Sequence, residues 1–112
     1  LLADVPGIVS VRPRADAVAV YHLYVIEVDP AHRDPLRSWL DQHGIDTGVH
    51  YPIPVHLQEC YAHLGYAPGD FPVTESQADR MLSLPMYPEM TPEVVSRVAD
   101  AVIEFHRRTR TS

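Results

Sequence analysis

The stretch Ala17–Val28, AVAVYHLYVIEV, has the composition of a buried β-strand. It is rich in Val, Tyr and Ile, which favour a pleated backbone, and apolar residues occupy both faces of the alternating pattern. Strands that are covered on both sides show this pattern. Asp29-Pro30 ends the run, because proline has no backbone N–H for a strand ladder. The sequence therefore predicts a strand over residues 17–28, covered on both faces.

A shorter β-prone patch, Ile8–Val11, precedes this strand, and apolar residues at helical spacing follow it. Asp34-Pro35 predicts a helix start, with a capping carboxylate and a proline at the first helical position. Gly44 stands where a left-handed residue ends a helix. A second β-prone piece is predicted over Thr47–Tyr51, and Tyr51–Pro54 must be extended because a proline disfavours helix in the residue before it. The apolar face of the predicted helix consists of Leu36, Trp39 and Leu40.

The second half of the chain predicts further helices. One short helix is predicted over His56–Leu64 and closed by Gly65. Thr74–Gln77 has the pattern of a capping box, and Thr91-Pro92 caps the last helix. Between them, Leu82–Met86 predicts a buried extended piece. The inward residues expected of these helices are Leu57, Cys60, Tyr61 and Leu64, then Ala78, Met81 and Leu82, then Val94, Val95, Val98, Ala101, Val102 and Phe105.

Helix and strand alternate without an internal repeat, so the sequence predicts an α/β architecture in which helices cover a small sheet. Its length of 112 residues is that of one domain. We predict a lead-in over residues 1–16, a domain over 17–108 and a fraying tail over 109–112. Three short strands make a thin core, so an exposed sheet face or edge is expected.

Composition excludes several classes of function. The formal charge of −6 argues against a nucleic-acid partner or an anionic membrane surface. No run of about 18 apolar residues is present, so no membrane span is predicted. The single cysteine excludes an intramolecular disulfide. The cytoplasm is therefore the expected compartment.

The sequence contains no Lys, and Arg supplies every basic residue other than histidine. No residue of the chain can therefore form a lysine Schiff base, and chemistry that needs one would be completed by another chain or domain. The start at Leu1 has neither a Met nor a basic signal region. It resembles the middle of a longer reading frame, so we expect a domain separated from the rest of its protein.

Three side chains at helical spacing, His56, Cys60 and His63, together with His50 resemble a zinc site with nitrogen and sulfur ligands. The alternative is that Cys60 is a small core residue, as free cysteine commonly is, with the histidines at the surface. We favour this alternative and expect no metal, because a Cys-x-x-His spacing alone is a weak signal.

The segment Gly48–Gln58 differs from the rest of the chain. Two prolines stiffen it, and it carries two imidazoles, a phenol and an amide, which can donate and accept hydrogen bonds. Such a set suits a polar ligand such as a sugar or a nucleotide phosphate. The alternative, which composition alone favours, is a structural proline-rich corner with solvated histidines.

At this segment the sequence resembles the C-terminal part of the DegT/DnrJ/StrS family of PLP-dependent sugar aminotransferases. The resemblance covers roughly residues 5–106. The matching residues are, in order, His22–Tyr24, Arg33-Asp34, Leu36, Leu40, Gly44–Thr47, His50–Pro52, Pro54, His56–Gln58, Tyr61, Leu64–Tyr66, Gly69–Pro72, Thr74-Glu75, Ala78, Leu82–Pro85, Tyr87-Pro88 and Thr91. The His-Tyr-Pro-x-Pro-x-His-Leu-Gln form looks most like members that act at C3 of deoxy-sugar nucleotides.

The resemblance implies the small C-terminal domain of a fold type I PLP-dependent transferase, with a short, mostly antiparallel sheet covered by helices. It also implies a homodimer with active sites at the subunit boundary. A Lys in a large N-terminal domain would hold pyridoxal phosphate (PLP), so residues 1–16 would lead in from that domain, which this chain lacks. The substrates implied are a nucleotide-linked keto-sugar and an amino-acid donor, usually glutamate, in deoxyamino-sugar, polysaccharide or antibiotic biosynthesis.

By the same resemblance, His50 and Tyr51 are candidates for substrate contact and His56 is a third. No residue of the chain is expected to be catalytic or to bind PLP by itself, so the chain alone should be inactive. Two alternatives stay open: a non-enzymatic regulatory member of the family, and a freestanding α/β binding module. Domain interfaces are sizeable, so exposed apolar surface and self-association are expected.

Overall fold

The computed structural model describes residues 1–110. It contains a three-stranded antiparallel sheet in the order β1 (Val9–Ser10), β2 (Tyr24–Glu27) and β3 (Met81–Leu84). Three helices accompany the sheet: α1 (Pro30–Gln42), α2 (Pro72–Arg80) and α3 (Pro92–Thr109). Two short 3-10 helices, Val55–Leu57 and Glu59–Leu64, lie between α1 and α2. The predicted small antiparallel sheet with covering helices is confirmed.

The predicted long strand is mostly wrong. Only Tyr24–Glu27 is paired, in register with β3 so that Ile26 lies opposite Leu82. Residues 12–23, which we name the arm, carry no strand structure, and Val18 and Val20 are 96% and 88% exposed. Apolar residues do occupy both faces of the pattern here, but no helix or strand within residues 1–110 covers Val18 and Val20.

Helix α1 begins five residues before the predicted start. Its N-cap is Asp29, whose Oδ1 accepts the Ala31 N–H at 2.8 Å, and Pro30 follows at the first helical position. The chain contains two Asp-Pro pairs, and the first of them, directly after β2, starts the helix. Pro35 therefore lies inside α1. The predicted end is confirmed, because Gly44 has a φ of +68° and its N–H donates to the Asp41 carbonyl at 2.9 Å.

The predicted α-helix over residues 56–64 is also wrong. Leu57 lies in the first 3-10 helix and Cys60, Tyr61 and Leu64 lie in the second, so the four residues do not form one continuous face as they would in an α-helix. Cys60 is exposed and Leu64 is 54% exposed, whereas His56, expected at the surface, is buried. The terminating Gly65 is confirmed, with a φ of +75°.

The predicted capping box at Thr74–Gln77 does not form. Helix α2 begins at Pro72, its N-cap is Phe71, and no side chain caps it in the usual way. A proline at the first helical position determined the start. Helix α2 ends at Arg80, so Met81 and Leu82 belong to β3 and not to the helix. The β-prone piece at 47–51 is reduced to a single bridge between Gly48 and Ser83.

The core lies between the sheet and helices α1 and α3. Its fully buried side chains are Ile26, Val28, Leu36, Leu40, Leu82 and Val102. The Thr91 cap of α3 is confirmed, because its Oγ1 accepts the Val94 N–H at 3.5 Å. Val95 is 42% exposed despite its place in the predicted stripe, and Ala99 is buried instead. The apolar face of α3 is therefore rotated slightly from the predicted one.

His106 is a buried residue that the apolar pattern does not indicate. It lies on the inner side of α3, and its ring centroid is 6.2 Å from that of His32 on α1. Its Nε2 has no hydrogen-bond partner among the described residues. Burial, with a smaller contribution from His32, lowers the pKa of His106. The neutral imidazole is thus the form that fits between the two helices.

At the chain's end, Thr109 still belongs to α3, and its hydroxyl donates to the Phe105 and His106 carbonyls at 3.3 and 3.1 Å. The predicted fraying tail covers 109–112, of which residues 111–112 lie outside the described residues. Within residues 1–110, no helix is long and apolar enough to cross a membrane.

Candidate functional site

His50 is held against the end of the sheet by two neighbours. Its Nδ1 lies 2.9 Å from the Oγ of Ser83, a buried residue of β3. Gly48 exchanges both backbone hydrogen bonds with Ser83, at 3.0 and 2.7 Å. A Cβ on Gly48 would collide with the His50 ring, contacting Cε1 most closely and reaching Nδ1 at 3.2 Å. Glycine is therefore required here for the close approach of the ring, and not for a positive φ.

Tyr51 stands beside this ring and is open to solvent. Its side chain is 66% exposed, and its ring meets that of His50 edge to face at 5.6 Å. The peptide bond that joins the two residues is cis. A phenol and an imidazole therefore lie side by side on an accessible surface, where both can contact a ligand. This arrangement brings together two of the three residues that the sequence analysis singled out.

The third residue, His56, is placed differently. It is buried, and its Nε2 lies 3.0 Å from Oε1 of Glu75 on α2. Its ring contacts Phe71 at a centroid distance of 4.7 Å and Tyr66 at 6.4 Å. These contacts hold the far end of the proline-rich segment to the start of α2. In this structure His56 anchors the segment, and its ring is not presented at the surface beside His50 and Tyr51.

Glu75 is the centre of this anchor, which we name the clasp: His56, Gly69, Phe71 and Glu75. The Glu75 carboxylate accepts the Gly69 N–H through both oxygens, at 2.9 and 2.8 Å, and the Phe71 N–H at 3.2 Å. The Gly69 hydrogen bond, with those of Phe71 and His56, lowers the pKa of Glu75 and outweighs the opposing effect of desolvation. The charged carboxylate is therefore the form that the folded chain binds best.

The clasp predicts a specific acid sensitivity. Because the folded-state pKa of Glu75 is depressed, its stabilisation is present above the unfolded value of about 4.3 and is lost as pH falls through the lower folded value. Glu75→Gln should lower the Tm at neutral pH and flatten its fall between about pH 5 and pH 3. Thermal unfolding followed by circular dichroism measures both. Glu89→Gln, at an exposed carboxylate, is the control, and an unchanged pH dependence in Glu75→Gln would contradict the role given to the clasp.

The zinc-like spacing does not bring its members together. Cys60 is exposed, and its Sγ lies 4.0 Å from Oε1 of Gln58. His63 bonds through Nδ1 to the Cys60 carbonyl at 3.1 Å, while His56 faces Glu75 in the interior. Within residues 1–110 no three His, Cys, Asp or Glu side chains are grouped to hold a metal ion. Cys60 is also not the core residue that the alternative expected.

A polar groove of about 670 Å³ runs beside the same segment. Helix α1 contributes Arg33, Arg37 and Asp41 to its lining, and the segment contributes Thr47 and Pro52. Arg33 is already engaged, because its Nη1 donates to the Ala78 carbonyl at 2.7 Å. The groove therefore carries both signs of charge next to the exposed His50–Tyr51 pair.

Sequence reasoning missed two residues of this site. Ser83 belongs to the Leu82–Pro85 stretch that matches the family, but only the folded structure shows its pairing with Gly48 and its contact with His50. Glu75 stands in the first turn of α2, where a carboxylate commonly serves the helix dipole. Its hydrogen bonds to a loop six residues earlier and to His56 depend on tertiary structure.

Comparison with known structures defines the class of protein. The fold matches a crystal structure of S. venezuelae DesV in complex with a ketimine intermediate, with a TM-score of 0.89 and 43% sequence identity, over 96% of this chain and 28% of that chain. The fold is thus that of part of an aminotransferase. The chain belongs to the DegT/DnrJ/EryC1/StrS aminotransferase family, whose model matches residues 1–103.

Two relatives show the range of the family. The dTDP-3-amino-3,4,6-trideoxy-alpha-D-glucose transaminase of Streptomyces venezuelae is 43% identical over 96% of this chain and 28% of its own length. The erythromycin biosynthesis sensory transduction protein EryC1 of Saccharopolyspora erythraea is 43% identical over 87% of this chain and 26% of its own length. The chain therefore spans about a quarter of the length of each relative.

Proposed function

We propose that this chain is the sugar-contacting C-terminal domain of a PLP-dependent aminotransferase. The longer protein would transfer an amino group, with glutamate as donor, to a nucleotide-linked keto-sugar. The observation that carries this proposal is the His50–Tyr51 pair, fixed at the end of the sheet with both rings accessible. The name of the Streptomyces relative, a transaminase of a dTDP-linked sugar, supports this substrate class. The setting proposed is cytoplasmic biosynthesis of amino sugars by a homodimer.

The residues of this chain do not by themselves fit PLP. The sequence contains no Lys for the Schiff base by which such enzymes hold the cofactor. We therefore assign PLP to residues outside this chain, where it would act as an electron sink. The part left to this chain is to bind the sugar, to orient it through His50 and Tyr51, and to keep those groups fixed through Ser83 and the clasp.

A labelling experiment tests the proposal on the longer protein that contains this chain. The protein is loaded with PLP and mixed with glutamate labelled with ¹⁵N at its amino group and with dTDP-linked 3-keto-6-deoxy-sugar. Mass spectrometry should find the label in the sugar product, and the visible absorbance of lysine-bound PLP should disappear on addition of glutamate. Absence of both changes would overturn the enzyme proposal.

A second candidate is a regulatory protein that keeps the fold, which the printed name of the Saccharopolyspora relative favours. The same experiment separates the two candidates. A regulatory member would bind the nucleotide sugar or PLP without transferring the label. A freestanding binding module, the other alternative, would bind the nucleotide sugar as the 112-residue chain alone, which calorimetry on that chain would detect.

A further inference from the structure

The contact between Ser83 and His50 restricts where the imidazole carries its proton. A neutral imidazole has one nitrogen that donates and one that accepts, and the hydrogen bond made by one nitrogen determines the role of the other. Ser83 Oγ lies 2.9 Å from Nδ1 of His50. Nε2 makes no hydrogen bond within residues 1–110, and His50 is exposed, so Nε2 is the nitrogen left for a ligand.

The direction of this hydrogen bond follows from the surroundings of the serine hydroxyl. Ser83 is only 5% exposed, and among the described residues its hydroxyl has no hydrogen-bond partner other than Nδ1. If Nδ1 carried the proton, the buried Ser83 O–H would have no acceptor, and a buried donor left unpaired is costly. If Ser83 donates to Nδ1, its proton is satisfied, and an oxygen lone pair without a partner costs less.

The backbone keeps this arrangement in register. The paired hydrogen bonds between Gly48 and Ser83 fix the segment that leads into His50 directly beside the hydroxyl. The bare α-carbon of Gly48 lets the Cε1 edge of the ring approach the chain closely, since a Cβ would come within 3.3 Å of Nε2 and 3.2 Å of Nδ1, and closer still to Cε1. In the structure the ring is thus placed with Nδ1 against the hydroxyl.

We propose that Ser83 is a positioning residue that sets His50 in the Nε2–H tautomer, so that His50 donates a hydrogen bond to an oxygen atom of the bound sugar. This role rests on the proposed function and makes it more specific, because it excludes His50 as a general base. Protonation of Nδ1 at low pH leaves the Nε2–H donor in place. A general base would lose its activity under the same conditions.

The tautomer of His50 can be determined by NMR without any substrate. The 112-residue chain, labelled with ¹⁵N in its histidines, is studied by long-range ¹H–¹⁵N NMR at about pH 8, above the usual histidine pKa of about 6.5. Comparison with His50→Gln assigns the His50 signals among those of the 7 histidines. We expect the nitrogen shifts of a protonated Nε2 and an unprotonated Nδ1. The opposite pattern in the unsubstituted chain would overturn the proposal.

Two substitutions show whether Ser83 causes this state. Ser83→Ala removes the hydroxyl, and Gly48→Ala displaces the ring, so both should convert the His50 signals to those of a mixture of tautomers. Thr47→Ala, next to Gly48, and Ser38→Ala, at an exposed serine of α1, are the matched controls and should leave the pattern unchanged. Backbone amide spectra establish that each variant is folded. A folded Ser83→Ala chain that keeps a pure Nε2–H pattern would contradict the role of Ser83.

The donor role is tested in the longer protein by its kinetics. Gln carries an amide N–H near the position of Nε2, so His50→Gln should keep kcat/KM within roughly tenfold, whereas His50→Leu should lose roughly 10- to 100-fold. Equal losses in both variants, or a loss of activity on acidification that His50→Gln abolishes, would overturn the donor role. The NMR result stands apart from turnover, so failure of the tautomer and failure of the aminotransferase proposal are distinguishable.

Discussion

Replacement of His50 or Tyr51 by Ala in the longer protein should lower kcat/KM for the nucleotide-linked keto-sugar by roughly 10- to 100-fold each, the effect of losing one hydrogen bond to a bound polar ligand. Both side chains are accessible and lie in ring contact at the end of the sheet. Steady-state kinetics with the keto-sugar as the varied substrate measures the effect. We expect it to be absent from the half-reaction in which glutamate alone is consumed.

The control for this pair is Val55→Ala, an exposed apolar side chain in the same segment, which should change kcat/KM little. The content of PLP, read from absorbance, should be equal in all four proteins. Equal losses of PLP loading and of sugar turnover in the His50 and Tyr51 variants would contradict their assignment to the sugar. Such a result would assign them to the general integrity of the domain.

Replacement of Leu82 by Ala should lower the free energy of unfolding of the chain by about 2–5 kcal/mol, the usual cost of removing a buried leucine side chain. Leu82 is fully buried, lies opposite Ile26 in the sheet and belongs to the apolar core. A domain of this size has a limited core, so the loss is a large part of its total stability. Urea unfolding followed by circular dichroism measures the change.

The matched control is Leu64→Ala. The apolar spacing of the sequence assigns Leu64 to the core, but the structure leaves it 54% exposed at the end of a 3-10 helix. Its replacement should therefore change the free energy of unfolding by less than about 0.5 kcal/mol, as surface substitutions usually do. Comparable losses at the two leucines would show that the 56–64 segment is packed as an α-helix after all.

The sequence predicts those parts of the fold whose signals are local. The cap at Thr91, the left-handed glycines at Gly44 and Gly65 and the apolar face of the last helix each depend on residues within a few positions. The predicted start of α1 was wrong because two Asp-Pro pairs could each begin the helix. The position where β2 ends determines which of them does. The predicted length of β2 was wrong because the length of a strand depends on its pairing partner, and β3 has only four residues.

The candidate site, like the fold, was predictable from the sequence only where its signals are local. The proline-rich segment with its two histidines and its tyrosine was visible in the sequence, together with the family resemblance. The different roles of these residues were not visible in the sequence. The burial of His56 depends on Glu75, which follows it by 19 residues, and the position of the His50 ring depends on Ser83, 33 residues away. Both partners stand in stretches that match the family, but no local pattern pairs them with these histidines. Contacts of this kind become visible only when the chain is folded.

The arm has a practical consequence for work with the protein. Arg14 lies on it in an exposed ion pair with Asp16, at 2.7 Å, and neighbours of these residues are fully accessible. Trypsin should therefore cut the 112-residue chain after Arg14, since exposed loops are among its preferred targets. If the arm is buried against another domain in the longer protein, that cut should be slow there. The rate of one cleavage would thus report whether the domain is docked or free.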